Sequence, residues 1–337
     1  MLLEFGGSPV CIETITRPVA EKPDQVHLGD IAPDYRKWVA CREPLYGDPH
    51  AECCSDLHYY EIFSLLVKIP WLRHNFLARR WLDRLFLDAP DFVVRVLTHR
   101  RHWPPYSQRS FVGGARAFDQ VGAWFLGELQ GLGLFSQGIQ VLDIGCGCGR
   151  LAYTLATDAA LRELQIVYTG MDVDRASIHW CERSISPQNP RFTFYHADCY
   201  NASYNPRGTI AAANYRFPHA NASFQLILLT SICTHVLEQD LRHYIDEVAR
   251  LLAPGGVAYA TFFFYDTSET VTSGSARHGI AFPFVRGHSA VNRQDFPTNA
   301  VAYDEAFVRE LVRQAGLQVI EPTRYGVQDV LLLTRTN

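Results

Sequence analysis

The stretch Val141-Leu142-Asp143-Ile144-Gly145-Cys146-Gly147-Cys148-Gly149-Arg150 decides how the chain folds. The run from Ile139 to Ile144 is short and apolar, as a buried strand is, and the pattern of a helix begins at Leu151 and reaches Thr157. Between them lies a loop with glycine at every second position, where backbone approaches a ligand more closely than any side chain would allow. In open α/β sheets the ligand lies beyond the carboxyl ends of the strands, where this loop sits. The dinucleotide fingerprint G-x-G-x-x-G would need its third glycine at position 150, which is Arg150. A phosphate loop would need Gly-Lys-Ser/Thr, and no lysine is near. What remains is D-x-G-x-G-x-G.

Outward from this loop the chain alternates strand and helix. Leu164 to Met171, Phe192 to His196, Phe224 to Thr230 and Val257 to Phe264 read as strands. Leu241, Tyr244, Ile245, Val248, Leu251 and Leu252 trace one helix face, which Pro254-Gly255-Gly256 stops. Asp304 is expected to cap a helix ending at Gly316, with strands at Leu317 to Ile320 and Val330 to Leu333. Such alternation predicts a parallel sheet covered on both faces, the α/β class. Upstream, Phe118 to Leu132 reads as a helix and Pro104-Pro105 as a break. Tyr59 to Leu87 is helical in pattern, with Leu77, Ala78, Trp81, Leu82, Leu85 and Phe86 on one face and Arg79, Arg80, Asp83 and Arg84 on the other. Residues 1–57, rich in Pro, Asp and Gly, read as irregular. The expected division is a mainly helical N-terminal extension, 1–110, followed by a catalytic domain, 111–337.

The glycine motif resembles the first motif of class I methyltransferases that use S-adenosylmethionine (SAM), and three further motifs follow in the family's order. Thr169-Gly170-Met171-Asp172-Val173-Asp174 places Asp172 at the end of the second strand, where two acceptor oxygens match a ribose diol. Tyr195-His196-Ala197-Asp198-Cys199 ends the third strand, and Leu251-Leu252-Ala253-Pro254-Gly255-Gly256 resembles the turn before the fifth. The resemblance implies a Rossmann-like, mostly parallel seven-stranded sheet with an antiparallel last strand. It also implies that Asp143, Gly145, Cys146, Gly147 and Gly149 form the SAM loop. Asp172 and Val173 would then lie at the ribose, Asp198 and Cys199 at the adenine, and Thr230 at the end of the fourth strand. Asp174 is left as an N-cap. One departure is Phe224-Gln225, where the family usually carries Phe-Asp, a mostly structural aspartate.

The fourth strand runs into Leu228-Leu229-Thr230-Ser231-Ile232-Cys233-Thr234-His235. The Asn/Asp-Pro-Pro-Tyr/Phe of enzymes acting on base amino groups is missing there, as is the magnesium-binding aspartate of catechol methyltransferases. No metal is required for transfer from a sulfonium, but a neutral hydroxyl acceptor benefits from a general base, and His235 is the candidate. The alternative is a histidine that only orients its loop. Tyr204-Asn205-Pro206, Phe217-Pro218 and Thr230 to His235 are similar to a bacterial methyltransferase subgroup, which implies a small molecule or a glycan as acceptor. The expected activity is O-methylation of a small molecule. A glycan or lipid head group at a membrane, or SAM binding by a partner protein without activity, are the alternatives. The long segment from Tyr265 to Tyr303 is expected to form a lid carrying His278, Phe282, Phe284, His288 and Phe296, set either toward a planar acceptor or into ordinary packing.

Composition narrows the rest. The 337 residues carry 31 Lys and Arg against 35 Asp and Glu, a net charge of −4 that gives no reason to expect nucleic acid. Only Lys22, Lys37 and Lys68 are lysines; the other basic residues are all arginine. Nine cysteines without disulfide-framework spacing, and a start lacking the pattern of a signal peptide, predict free thiols in the cytoplasm. His50, Cys53, Cys54 and His58 have the residue types of a zinc site, but adjacent cysteines chelate poorly together, and no metal is expected. From Lys68 to Arg109, nine basic residues face three aspartates, with Trp71, Trp81 and Trp103 interspersed. That composition resembles an interfacial membrane helix. The favoured reading is that its apolar face docks on the catalytic domain and walls the acceptor pocket. Nothing in the sequence fixes an oligomeric state.

Overall fold

Seven strands build the main sheet of the computed structural model. They are β1 (Gln140–Ile144), β2 (Val167–Asp172), β3 (Phe192–His196), β4 (Phe224–Leu229), β5 (Leu252–Phe262), β10 (Leu317–Arg324) and β11 (Asp329–Arg335). Described are residues 76–335 except 111, 113, 114, 116, 203 and 266–277; the side chains of residues 76, 77 and 79 are likewise left aside. All belong to one unit, Cys54–Asn337. The zinc-type cluster at positions 50–58 and the first part of the expected helix at 59–87 lie outside the described residues.

The strand order is β10-β11-β5-β4-β1-β2-β3. β1 pairs in parallel with β2 and β4, β2 with β3, and β4 with β5. β11 runs antiparallel to both β5 and β10. This is the Rossmann-like order the motifs imply, with its antiparallel strand near one end. The inner strands are apolar on both faces because helices cover both. Val141, Tyr168, Leu226 and Leu228 point into a core shared with α4 (Phe118–Gly131), α5 (Arg150–Thr157) and α7 (Arg175–Ser184). Leu142, Met171, Ile227 and Leu229 point the other way, toward α8 (Glu238–Leu251) and α9 (Glu305–Gln314). Truncating a fully buried contact such as Leu241 to alanine would cost about 2–5 kcal/mol. Asp304 caps α9 as expected, accepting from the Ala306 N–H at 2.9 Å. The short helix α6 (Ala159–Glu163) leads from α5 toward β2.

Two differences from the sequence reading matter. Pro254-Gly255-Gly256 falls inside β5, which starts at Leu252; the strand absorbs the turn as an irregularity, pairing Phe224 with Leu252 but Leu226 with Val257. The segment after β5 forms a small sheet of order β6-β9-β8-β7, made by β6 (Phe264–Tyr265), β7 (Phe284–Arg286), β8 (Ser289–Val291) and β9 (Val301–Asp304). Its aromatic side chains mostly pack. Phe282 is buried with Phe263 and Tyr265, and His288 stacks on Phe307 at 4.4 Å. His278 is buried with one ring nitrogen 3.0 Å from the Val327 carbonyl and the other 3.0 Å from the Phe264 carbonyl.

Before β1 the chain forms α1 (Phe76–Phe86), α2 (Asp88–Leu97) and the single turn α3 (Tyr106–Arg109). Asp91 is the buried hub of this region, accepting from Arg95 Nε at 2.7 Å and from Arg109 Nη2 at 2.6 Å. The Arg109 guanidinium lies over the Trp103 ring. Trp103 in turn packs with Phe118 and Cys148, and so against the glycine loop. Trp81, Leu85 and Phe86 are exposed, so this apolar face of α1 does not dock on the catalytic domain among the described residues.

Candidate functional site

The glycine loop leaves β1 with Gly145, Gly147 and Gly149 at φ of 81°, 54° and 75°, a backbone region that L side chains resist. The N–H groups of Gly145 and Cys146 donate to the Met171 carbonyl at 2.7 and 3.0 Å, tying the loop to the end of β2. A side chain at Gly147 would begin 2.5 Å from Val112 Cγ1, and one at Gly145 would strike Ile232. The glycines therefore admit the protein's own side chains, a reason that the sequence reading did not supply.

Asp172 closes the loop. Its Oδ2 accepts from the Gly147 N–H at 2.8 Å and its Oδ1 from the Asp174 N–H at 2.7 Å. Burial pushes its carboxyl up to about 6, against the hydrogen bonds from the Asp174 and Gly147 amides. Asp143, one layer deeper, is buried beneath the loop and accepts from the Tyr168 hydroxyl. Burial raises it to about 7, with that hydrogen bond opposing. Asp174 is the N-cap of α7, accepting from the Ser177 N–H at 3.0 Å. Arg80 of α1 reaches the same carboxylate with both terminal nitrogens at 2.6 Å. Tyr204 lies near enough to Asp172, Asp174 and Arg80 to feel their charges, although burial is what mainly raises its phenol, to about 12.

The third-strand residues also make contacts within the protein. Asp198 Oδ2 accepts from Thr209 Oγ1 at 2.6 Å, and its carboxyl is held below the usual range, first by that hydroxyl. The Ile210 N–H donates to the Asp198 carbonyl, and Cys199 is buried beneath the returning loop. The carboxylate is thus committed first to shaping the loop from 199 to 210. Val173 is half-buried, and its carbonyl lies 3.1 Å from His196 Nε2.

Across the loop, β4 ends at Leu229 and turns sharply. Ser231 sits at φ 58°, a costly conformation for a residue with a side chain, braced by its N–H donating to Thr261 Oγ1 at 2.7 Å and by Gln328. Backbone strain of this kind clusters where a strand end is shaped for function. Thr230 Oγ1 is buried without a hydrogen-bond partner among the described residues, as is Thr234 Oγ1. His235 Nδ1 stands 3.0 Å from the Thr298 carbonyl, which can only accept, so the neutral ring carries its proton on Nδ1 and its lone pair on Nε2. Burial lowers its pKa, opposed by the backbone of Thr298 and Asn299.

The carboxyl ends of three adjacent strands, β2, β1 and β4, thus hold together Asp172, the glycine loop, Thr230 and the segment leading to His235. A ribose diol can donate to the carboxylate, and the orphaned Thr230 hydroxyl offers a polar group to a ligand. These donors and acceptors fit SAM. Sequence reasoning quoted Tyr204 and Ser231 only as parts of motifs and gave no site role to them, to Arg80 or to Tyr168. Tyr168 could have been found by register, since it pairs with Val141 two residues before Asp143. Nothing local marks Arg80. Among the described residues no cluster of His, Cys, Asp and Glu is suited to a metal, and no helix is long and apolar enough to cross a membrane.

Residues 141–256 match a family model described as a methyltransferase domain. Among solved structures, the 1,6-didemethyltoxoflavin-N1-methyltransferase of Burkholderia thailandensis, with bound 1,6-didemethyltoxoflavin and S-adenosylhomocysteine, is similar at 17% identity. The match covers 74% of this chain and 87% of that one, with a TM-score of 0.39. A SAM-dependent methyltransferase of Methanosarcina mazei matches at 19% identity over 60% and 95% of the two chains, with a TM-score of 0.38. A TehB-like SAM-dependent methyltransferase of Corynebacterium glutamicum matches at 14% identity over 66% and 100%, with a TM-score of 0.37.

Proposed function

From the match of residues 141–256 to a methyltransferase domain we propose that the chain is a class I SAM-dependent methyltransferase that methylates a hydroxyl group of a small-molecule acceptor. SAM, when bound, supplies a methyl group already activated on a sulfonium. The protein's work is then to hold, align and exclude water. In this reading Gly145, Cys146, Gly147 and Gly149 line the cofactor, Asp143 orders their loop from below, and Asp172 with Val173 holds the ribose. Asp198 and Cys199 border the adenine through the loop they anchor, and Thr230 meets the cofactor at the end of β4.

His235 carries the acceptor side of the proposal. Its Nδ1 proton is committed to the Thr298 carbonyl and its pKa is depressed by burial, so at neutral pH the ring is an uncharged base with its lone pair on Nε2. Such a base takes the proton of a hydroxyl as the oxygen attacks, a contribution of about 10²–10⁴ in rate. Its segment packs on the glycine loop through Ile232 and Gly145, which supports reading the two as halves of one site. Residues 1–110 are read as an N-terminal extension, and Arg80 of α1, through its contact to Asp174, supports a role for α1 beside the site. Five buried cysteines, 146, 148, 181, 199 and 233, are free thiols, which suits a reducing cytoplasm. Incubating the protein with labelled SAM and fractionated host metabolites tests the acceptor class. Label in a small hydroxylated compound supports the reading; label confined to protein, nucleic acid or an amine overturns it.

A further inference from the structure

In the two helices before the catalytic sheet, the acids turn inward and the apolar residues outward. Asp83 is buried and accepts from Ser110 Oγ at 3.1 Å. Asp88 accepts from the Ser107 N–H and hydroxyl at 2.8 and 2.7 Å. Asp91 is 2% exposed between Arg95 and Arg109. Exposed to solvent are Trp81 and Leu85 of α1 and Phe92, Val93 and Leu97 of α2, with Trp81 62% and Leu97 74% exposed. Arg84, next to Leu85, and Arg101, beyond the end of α2, are exposed as well. A soluble domain normally shows the reverse arrangement, and a run of large apolar groups left outside marks an interaction surface.

We propose that α1 and α2 form a docking face for an anionic lipid surface. Charge decides the occupant. The aspartates of this segment are withdrawn into hydrogen bonds with the protein, leaving arginines among the exposed apolar side chains. Tryptophan, phenylalanine and leucine enter the boundary between head groups and acyl chains, while arginines at its edge pair with lipid phosphates and carboxylates. A second copy of the chain would set arginine against arginine across the face. The helices are short and lie in the surface; none spans it. Arg80, on α1 itself, holds the loop beside Asp172, so docking would bring the site close to the lipid. The face does not depend on which acceptor is methylated, and its test needs no turnover.

The test is flotation of the full chain with vesicles of phosphatidylcholine alone and of phosphatidylcholine with about 30% phosphatidylserine. Binding to the anionic vesicles alone, weakening with salt, is expected. Arg84→Gln with Arg101→Gln should weaken it about thirty-fold, the loss of two cations at an anionic surface. Trp81→Ser with Leu97→Ser should abolish it while SAM binding persists, which shows that the variant is folded. No binding to anionic vesicles, equal binding to neutral ones, or binding indifferent to both pairs of substitutions would overturn the proposal. So would self-association in light scattering that the Trp81 and Leu97 changes remove while vesicle binding is absent.

Discussion

Arg80 and Asp174 are joined by two parallel hydrogen bonds of 2.6 Å, spanning 94 residues of sequence. The carboxylate so held also caps α7, and the amide of the same residue donates to Asp172. Arg80 is therefore a positioning residue for the group assigned to the ribose. Replacing it with methionine would leave a mostly buried carboxylate short of its cation, at a cost of about 3 kcal/mol. The expected result is a Tm lower by several degrees and weaker SAM binding in calorimetry. Lysine should restore the charge but only part of the affinity, because it lacks the planar fork. A variant with unchanged SAM affinity would remove the positioning role.

Asp143 and Asp172 give the ligand-free protein and its gain from SAM opposed pH dependences. Burial raises their carboxyls to about 7 and about 6. Each binds its proton more tightly when folded, so the stability it contributes is full below the ordinary carboxylate range, about pH 4, and is lost as pH rises through those values. The ligand-free protein should become less stable between about pH 4 and 7 through these two groups. A ribose bound to Asp172 needs the ionised form, so the added stability from saturating SAM should grow over the same range. Thermal shifts with and without SAM check both trends, and parallel slopes would contradict the assignment.

Gly147→Ala combines a left-handed backbone, costing about 1–2 kcal/mol, with a Cβ 2.5 Å from Val112 Cγ1. Lower stability and loss of SAM binding are expected. Val112→Ala in the same chain should return part of the stability, because it removes the clash and leaves the backbone term. Denaturant titration of the two variants distinguishes the contributions.

His235→Ala should lower turnover by about 10²–10⁴ while leaving SAM affinity near that of the native protein. The rate of the native enzyme should fall only in acid, below the usual imidazole value of about 6.5, because burial lowers this ring. Turnover at the native level in the variant would leave His235 a merely structural residue.

The thiols of Cys148, Cys199 and Cys233 are raised to about 12, chiefly by burial. They should resist alkylation in the native protein and react only once it is unfolded. Mass spectrometry after brief iodoacetamide treatment reads this directly.

The strand order and the glycine loop were legible because each rests on local pattern: short apolar runs, alternate glycines, and an aspartate closing β2. The departure at Gln225 also has a local solution, since its side-chain oxygen accepts from the Gln140 N–H at 2.9 Å and so links β4 to β1. Distant pairings left no trace. Arg80 looks like any arginine on an amphipathic helix until its partner is known. The aromatic residues after β5 could be read as a lid, yet strand pairing with β9 turns several of them into the core of a second sheet. Asp198 matched the adenine position by motif, but its hydrogen bond to Thr209 depends on a loop whose path no periodicity reveals.

The central claim is that the glycine loop and Asp172 together form the SAM site. Calorimetry of SAM binding to the native chain and to Asp172→Ala tests it most directly. Saturable binding by the native chain and its loss, or a very large weakening, in the variant is the predicted result. Equal affinity in the two proteins, or no binding to the native chain, would contradict it.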